Sequence, residues 1–298
     1  MAKKLKLGVI GMSEGNGHPY SWSAIFNGYG EEDMRKCPFP AIPEYLSKQN
    51  FPEDSLGDFG EVTHIWTQEI ATSKHIAAAT NIKYIVENLE DMVGAVDAVL
   101  LARDDAENHY SMALPFLKAG IPIFIDKPLA LSVFEANKIL NEQQFEDQVF
   151  TCSSIRFADE LNLTEKEKDS IGEIVHVEAA IPKKWDTYAI HLIEPIVSRL
   201  PERGKLIDVN IIQKKHFINC MIEWENTTAY IKVTGDTLVP IKLSYYGSKG
   251  VIEKDFKDSF ACFKNSLKKF VDVLSGKEKN IQRGETLEII QILEKGRI

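Results

Sequence analysis

A lysine enclosed by an acid and a proline is the first feature of this 298-residue sequence that could do chemistry. The segment Ile125-Asp126-Lys127-Pro128 ends a short apolar run that predicts a β-strand. An ammonium group oriented in this way can donate a hydrogen bond to a substrate hydroxyl and relay its proton. Lys127 is therefore a candidate catalytic residue. The alternative interpretation is a surface lysine beside a turn.

A second group of reactive side chains recurs at helical spacing. Tyr188, His191 and Glu194 follow one another at intervals of three, which predicts one shared helix face. They supply an aromatic wall, a base that titrates near neutral pH and an acid to orient it. His191 is therefore a candidate general base, although an isolated histidine can equally be structural. No HExxH pattern or Cys/His cluster accompanies them, so we predict no metal site.

A glycine-rich turn follows the first predicted strand and precedes a helix. Its glycines would let the backbone approach a pyrophosphate and aim helix N–H groups at it. However, Ser13 occupies the place of the second glycine in G-x-G-x-x-G. The same residues match the G-x-S-x-G elbow of α/β-hydrolases, in which Ser13 would be the nucleophile. That elbow normally follows several strands, so a dinucleotide site is favoured, with contacts from Gly11, Met12, Ser13, Gly15 and Asn16.

The residue that would hold the adenosine ribose is unusual. Thr67 ends the second predicted strand, where Asp or Glu is typical, and Glu69 follows two residues later. A hydroxyl tolerates either a ribose 2′-OH or a 2′-phosphate. The cofactor prediction is therefore NAD or NADP, and the choice stays open.

The elements that must position these residues fall into two halves, which differ in the order of their predicted strands and helices. The first half alternates β-branched runs with helical patterns, which predicts a parallel, doubly wound sheet. Its predicted strands cover residues 6–10, 62–67, 84–86, 98–102 and 121–125, and its predicted helices cover 20–26, 70–81 and 110–119. Residues 28–60 contain four prolines and fit neither pattern. They are expected to form either a substrate-side flap or a structural insertion.

The second half consists mainly of strands at short spacing, with helices before and after them. This order predicts an α+β domain with a largely antiparallel open sheet. The predicted strands are 175–181, 206–214, 219–225, 229–234 and 242–246, and the helices are 132–142, 260–274 and 285–295. We place the boundary near Pro128. Residues 1–128 are expected to form a dinucleotide-binding Rossmann domain, and residues 129–298 a domain for substrate binding and oligomerisation.

Composition excludes several classes of protein. The 35 Lys and Arg against 44 Asp and Glu give a net charge of −9, which argues against nucleic-acid and anionic-membrane partners. No run approaches the roughly 18 apolar residues of a membrane helix, and the N-terminus lacks a signal-peptide core. The four cysteines are far apart and form no CxxC. We therefore expect reduced thiols in a cytoplasmic protein.

With Lys127 and His191 identified, the chain resembles the Gfo/Idh/MocA oxidoreductases over nearly its whole length. Two of the motifs that carry this resemblance are more specific than the glycine turn. They are the Asp-Lys-Pro that follows a strand and the preceding helix with Asn-His. The matching segments are Gly8-Val-Ile-Gly11, residues 97–102, Asn108-His109, residues 118–130, residues 188–194 and residues 284–288.

The resemblance implies hydride transfer between a nicotinamide and a hydroxyl-bearing carbon of a sugar, cyclitol or nucleotide-linked sugar. It also implies a homo-oligomer, a dimer or tetramer, formed through the open sheet. By position, Lys127 is the proton-relay lysine, and His191 lies near the reacting hydroxyl and would accept its proton. Asp186, Tyr188 and Glu194 would then position the hydroxyls of the substrate. The residues that the resemblance places beside the cofactor are Ala102, Arg103, Asp104, Asn108, His109 and Lys127.

This chain also departs from the family pattern. Thr187 stands where the family commonly has Asp, and Glu194 stands where Asp is often found. The alternative function is therefore a redox-inactive dinucleotide- or sugar-binding protein of the same fold, serving as a sensor or assembly partner.

Overall fold

The computed structural model describes residues 4–297, which divide into two compact units. The first unit contains the chain up to Ala130 together with Phe134–Cys152 and Phe263–Ile281. The second contains Leu131–Val133, Ser153–Cys262 and the chain from Gln282 onward. Two segments beyond the expected boundary at residue 128 thus lie in the first unit. The roles assigned to the two domains stay predictions.

The first unit is built on a six-stranded parallel sheet, as the alternating pattern predicts. The strands are β1 (Leu5–Ile10), β2 (Gly60–Trp66), β3 (Tyr84–Ile85), β4 (Ala98–Leu101), β5 (Ile123–Ile125) and β6 (Val149–Thr151). Their order is β3-β2-β1-β4-β5-β6, and every neighbouring pair is parallel. The chain winds outward in both directions from β1. The carboxyl ends of β1 and β4 therefore form the switch point at which open α/β sheets bind ligands.

Within residues 4–297 the chain forms ten α-helices. They are α1 (His18–Asn27), α2 (Glu31–Met34), α3 (Ala41–Leu46), α4 (Ile70–Ala79), α5 (His109–Lys118), α6 (Val133–Leu140), α7 (Glu165–Ile171), α8 (Ile190–Arg199), α9 (Ser259–Leu274) and α10 (Arg283–Lys295). Parallel neighbouring strands cannot be joined by a tight turn, and helices usually form the crossover connections between them.

The proline-rich segment 28–60 forms α2 and α3 and packs along α1. The Tyr45 hydroxyl donates to Ser21 Oγ, and the Leu56 amide donates to the Ile25 carbonyl. Leu46 and Leu56 are buried. These contacts hold the segment against α1, and its expected role as a substrate-side flap or a structural insertion stays a prediction.

The second unit contains a six-stranded mixed sheet in the order β12-β11-β7-β10-β9-β8. Its strands are β7 (Ile174–Ile181), β8 (Leu206–Lys214), β9 (Phe217–Trp224), β10 (Thr228–Val233), β11 (Lys242–Gly247) and β12 (Gly250–Asp255). Only the β7–β10 pair is parallel among the pairs of this sheet. The predicted α+β domain with a largely antiparallel sheet is confirmed.

Two of the exclusions made from composition can be compared with the described residues. No helix between residues 4 and 297 is both long enough and apolar enough to cross a bilayer. All four cysteines are buried and none is in a disulfide among the described residues.

The β11–β12 hairpin provides a test of the packing in the second unit. A Cβ at Gly247 would lie 2.2 Å from the carbonyl oxygen of Ile171, whereas one at Gly250 would meet no atom closer than 3.8 Å. Because a backbone carbonyl cannot move aside easily, Gly247→Ala should lower the free energy of unfolding by about 1–3 kcal/mol. Gly250→Ala should change it by less than about 0.5 kcal/mol. Urea denaturation measures both, and equal losses would contradict this packing.

Candidate active site

The glycine turn after β1 is shaped by close packing at one end and is open at the other. A Cβ at Gly11 would lie 2.4 Å from Pro19 Cγ, so only glycine lets the turn pack on α1. Gly15 has a φ of +77° and no atom within 4 Å of an added Cβ. In the described part of the chain, the N–H groups of residues 13–15 make no hydrogen bond. Three adjacent N–H groups of this kind are available as donors to an anion such as a pyrophosphate.

The N-terminus of α1 differs from the sequence expectation. The His18 amide donates to the Asn16 side chain, and the Tyr20 amide donates back to the Gly17 carbonyl. Pro19, in the first turn of the helix, has no N–H. The donors of this site are therefore in the turn itself and not in the helix that follows it.

Three predicted residues meet at the carboxyl edge of β1, β4 and β5. The Ser13 hydroxyl donates to Asp104 Oδ1 at 2.6 Å, and the Asp104 amide donates to Ser13 Oγ at 3.1 Å. Lys127, only 4% exposed, donates from Nζ to Asp104 Oδ2 at 3.3 Å. Ala102 is buried directly after β4 and lies two positions before Asp104 in the chain. Because Ser13 is paired with a carboxylate and not with an imidazole, these contacts do not form a hydrolase elbow.

Asp126 connects the glycine turn to β5. Its carboxylate is 1% exposed and accepts hydrogen bonds from Asn16 Nδ2 at 2.9 Å and His18 Nδ1 at 2.6 Å. The backbone N–H of Lys127 donates to the other oxygen. Burial alone raises the pKa of a carboxyl, but the charges of His18 and Lys127 lower that of Asp126 to about 2. His18 was not among the predicted site residues, although Asn16-Gly-His18 in the turn was a signal that could have indicated it.

Gln68 is a further residue at this edge that sequence reasoning missed. Its side-chain amide receives the Met12 N–H at 3.1 Å and donates to the Met12 carbonyl at 2.6 Å. Arg103 also donates to Gln68, and its guanidinium forms a two-point ion pair with Asp105. Asn108 donates to the same Asp105 carboxylate at 2.6 Å. Burial raises the pKa of Asp105, but the hydrogen bonds from Arg103 and Asn108 lower it by more. The pKa of Asp105 therefore lies below its ordinary value.

Two other predicted cofactor residues have partners inside the first unit. The Thr67 hydroxyl donates to the Glu69 carbonyl at 2.7 Å. His109 is fully buried, with its ring nitrogens 3.0 Å from the Leu129 carbonyl and 2.9 Å from the Arg103 carbonyl. His109 therefore ties the segment after β4 to the segment after β5, which gives it a positioning role.

In the second unit, the predicted helix begins with a π-helical turn. Residues Trp185–Ala189 form this turn, and α8 follows directly. The Tyr188 and His191 rings contact edge to face, with centroids 5.5 Å apart, so the structure brings these two predicted residues together. Lys183 donates to the Tyr188 hydroxyl.

Glu194 points into the interior of the second unit. Its carboxylate is 3% exposed, accepts the Ser153 N–H at 2.6 Å and lies 3.5 Å from an Arg156 guanidinium nitrogen. Arg156 also pairs with Glu285. Burial raises the pKa of Glu194 to about 7, although Arg156 and the Ser153 amide oppose this shift. These partners give Glu194 a positioning role, and its contact with a substrate stays a prediction.

Asp186 lies in an ion pair at the surface of the second unit. Arg297 Nε donates to its carboxylate at 3.2 Å, and Arg297 Nη1 donates to the Leu131 carbonyl at 3.2 Å. Over the part of the sequence that the structure describes, no three His, Cys, Asp or Glu side chains form a group that could hold a metal ion.

The parallel sheet, its switch point and the open glycine turn define the dinucleotide-binding Rossmann class of protein. Residues 41–153 match the family model GFO_IDH_MocA, described as "Oxidoreductase family, NAD-binding Rossmann fold". The resemblance to the Gfo/Idh/MocA family is confirmed over this segment. The predictions of an oxidoreductase and of a nicotinamide dinucleotide agree with that description. No curated protein matches the chain significantly.

Solved structures share the fold over almost the entire chain. The apo scyllo-inositol dehydrogenase from Lactobacillus casei has a TM-score of 0.75 at 14% identity, over 98% of this chain and 96% of its own. The myo-inositol 2-dehydrogenase from Lactobacillus plantarum gives 0.73 at 13%, over 98% and 96%. GenD2 from gentamicin A biosynthesis, solved in complex with NAD, gives 0.72 at 12%, over 99% and 93%. At such identities the likeness establishes the fold.

The raised pKa of Glu194 predicts a specific dependence of stability on pH. The folded pKa of about 7 exceeds the ordinary value of 4.5, so the native state binds this proton more tightly than the unfolded state. Stability of the wild type should therefore fall as pH rises through this window, whereas Glu194→Gln lacks the titration. Relative to wild type, the variant should gain about 2–3 kcal/mol between pH 5 and pH 8.

Chemical denaturation at several pH values measures this difference. Glu202→Gln, at an exposed position, is the matched control and should show no such trend. A difference between Glu194→Gln and wild type that stays constant with pH would contradict the assigned environment of Glu194.

Proposed function

We propose that this chain is an NAD(P)-dependent oxidoreductase that transfers hydride between nicotinamide and a hydroxyl-bearing carbon of a cyclitol or sugar derivative. The observation that carries the proposal is the Ser13–Asp104–Lys127 cluster beside an open glycine turn at the switch point. The family description and the inositol dehydrogenases among the structural neighbours support it. Assembly as a homo-oligomer stays a prediction.

The glycine turn supplies the binding determinants for the dinucleotide. The N–H groups of residues 13–15 would hold the pyrophosphate, and Gln68 fixes the Met12 peptide on which the turn depends. When bound, the nicotinamide supplies the carbon that accepts or returns hydride.

Lys127 acts at the oxygen of the substrate. Asp104 orients its ammonium group, and Ser13 in turn orients Asp104 through two hydrogen bonds. A cation held in a buried setting stabilises the negative charge that develops on an oxygen as its proton leaves. Lys127 is proposed to relay this proton by taking it from the oxygen while it passes one of its own protons to the Asp104 carboxylate.

Ligand binding tests the cofactor. NAD⁺, NADH, NADP⁺ and NADPH should be compared by thermal shift, because a ligand of the native state raises the apparent melting temperature. At least one is expected to raise it. Gly11→Ala, whose Cβ would lie 2.4 Å from Pro19 Cγ, should abolish that response. Absence of a response to all four dinucleotides in the wild type would contradict the proposal.

Turnover tests Lys127. Oxidation of myo-inositol, scyllo-inositol and common aldoses should be followed with NAD⁺ and NADP⁺ through nicotinamide absorbance. Lys127→Ala should lower kcat by about 10²–10⁴-fold, the usual contribution of a positioned acid–base group, with dinucleotide binding nearly intact. Lys118→Ala, at an exposed position on α5, is the control. Unaltered turnover in Lys127→Ala would exclude the role. Dinucleotide binding without oxidation of any substrate would favour the redox-inactive alternative.

A further inference from the structure

Ser153 is a buried residue that contacts two of the predicted site residues at once. It is 0% exposed, and its backbone N–H donates to Glu194 Oε2 at 2.6 Å. Its hydroxyl lies 2.8 Å from His191 Nδ1. Thr187 stands where the resembled family commonly has Asp. Ser153 supplies an orienting contact from a different part of the chain.

The direction of the Ser153–His191 hydrogen bond follows from the partners of the hydroxyl. Among residues 4–297, His191 Nδ1 is the one hydrogen-bond partner of Ser153 Oγ. A buried hydroxyl that accepted a hydrogen bond from Nδ1 would leave its own proton without an acceptor, which is unfavourable in a site that excludes water. The hydroxyl therefore donates to Nδ1, and a neutral imidazole with an accepting Nδ1 carries its proton on Nε2.

We propose that Ser153 is a positioning residue that holds neutral His191 as the Nε2–H tautomer, so that His191 presents an N–H donor to the reacting oxygen. This assignment rests on the proposed function and deepens it. Neutral His191 with a proton on Nε2 has no lone pair there to accept the alcohol proton. The proposal therefore differs from the expectation that His191 accepts this proton.

The support for Ser153 comes from the polar network on its other side. Glu194 accepts the Ser153 amide and faces Arg156, which is itself paired with Glu285. The Ser153 backbone is thus fixed by a buried carboxylate, and its hydroxyl keeps a defined position against the imidazole. Residues that fix a catalytic ring through a hydrogen bond on its other nitrogen also select its tautomer.

The tautomer is measured directly by long-range ¹H–¹⁵N correlation spectra of protein labelled at histidine, at a pH where His191 is neutral. His191→Gln identifies the signals. In the wild type, Nε2 should carry the proton and Nδ1 should show the shift of a hydrogen-bonded, unprotonated ring nitrogen. Ser153→Ala should move the Nδ1 signal toward the unbonded value. Ser153→Thr, which retains a hydroxyl, should restore it.

Ser198 lies on α8 with His191, and its hydroxyl donates to the Pro195 carbonyl. Ser198→Ala is therefore the control and should leave the His191 signals unchanged. A proton on Nδ1 in the wild type, or an Nδ1 signal that is unaffected by Ser153→Ala, would overturn the proposal. The spectra need neither cofactor nor turnover. Failure of this assignment is therefore distinguishable from failure of the proposed oxidoreductase function, which the dinucleotide screen decides.

Turnover separates a donor role from a base role. For any substrate oxidised in the panel above, His191→Gln keeps an N–H donor whereas His191→Ala does not. If His191 acts as a hydrogen-bond donor, the Gln variant should retain at least about tenfold more kcat than the Ala variant, the worth of one hydrogen bond. Equal losses in the two variants would show that His191 accepts the proton and would overturn the proposal.

Discussion

The arrangement of the candidate site depends on one buried carboxylate. Asp126 accepts hydrogen bonds from the side chains of Asn16 and His18, where the glycine turn meets α1, and from the backbone N–H of Lys127. A buried charge is tolerated only when its partners are present, and removing one partner leaves it uncompensated. The turn and the end of β5 therefore form a single electrostatic unit. The acid directly before Lys127 therefore has a structural role, which does not require that it take a direct part in catalysis.

The sheets could largely be predicted because their strands are apolar or alternating runs separated by helical patterns. The two strands that escaped prediction have physical reasons for doing so. β6 spans only Val149–Thr151, which is too short to display any period. β12 lies at the edge of its sheet, and its charged residues make it resemble an exposed segment. Pairing with a neighbouring strand, which the sequence does not display, decides both cases.

The site was predictable where residues follow strand ends and unpredictable where distant side chains meet. Ser13, Asp104 and Lys127 each follow a parallel strand, so topology alone brings them to one edge. Gln68 reaches Met12 across 56 positions of the chain, and no local pattern indicates such a contact. Helical spacing placed Glu194 on one face with Tyr188 and His191, but spacing does not reveal what covers a face. The Ser153 amide and Arg156 cover it here.

The first unit is assembled from segments that are far apart in the chain, and this has a consequence for synthesis. Phe270 of α9 packs against Phe124 and Phe150, at ring-centroid distances of 5.6 and 5.7 Å. A nascent chain that has left the ribosome only as far as β6 has all six strands of the sheet but lacks this aromatic partner. The first half of the protein must therefore wait, with two phenylalanines incompletely covered, until the last part of the chain emerges. Apolar surface that is uncovered for a time in this way promotes association between incompletely synthesised chains.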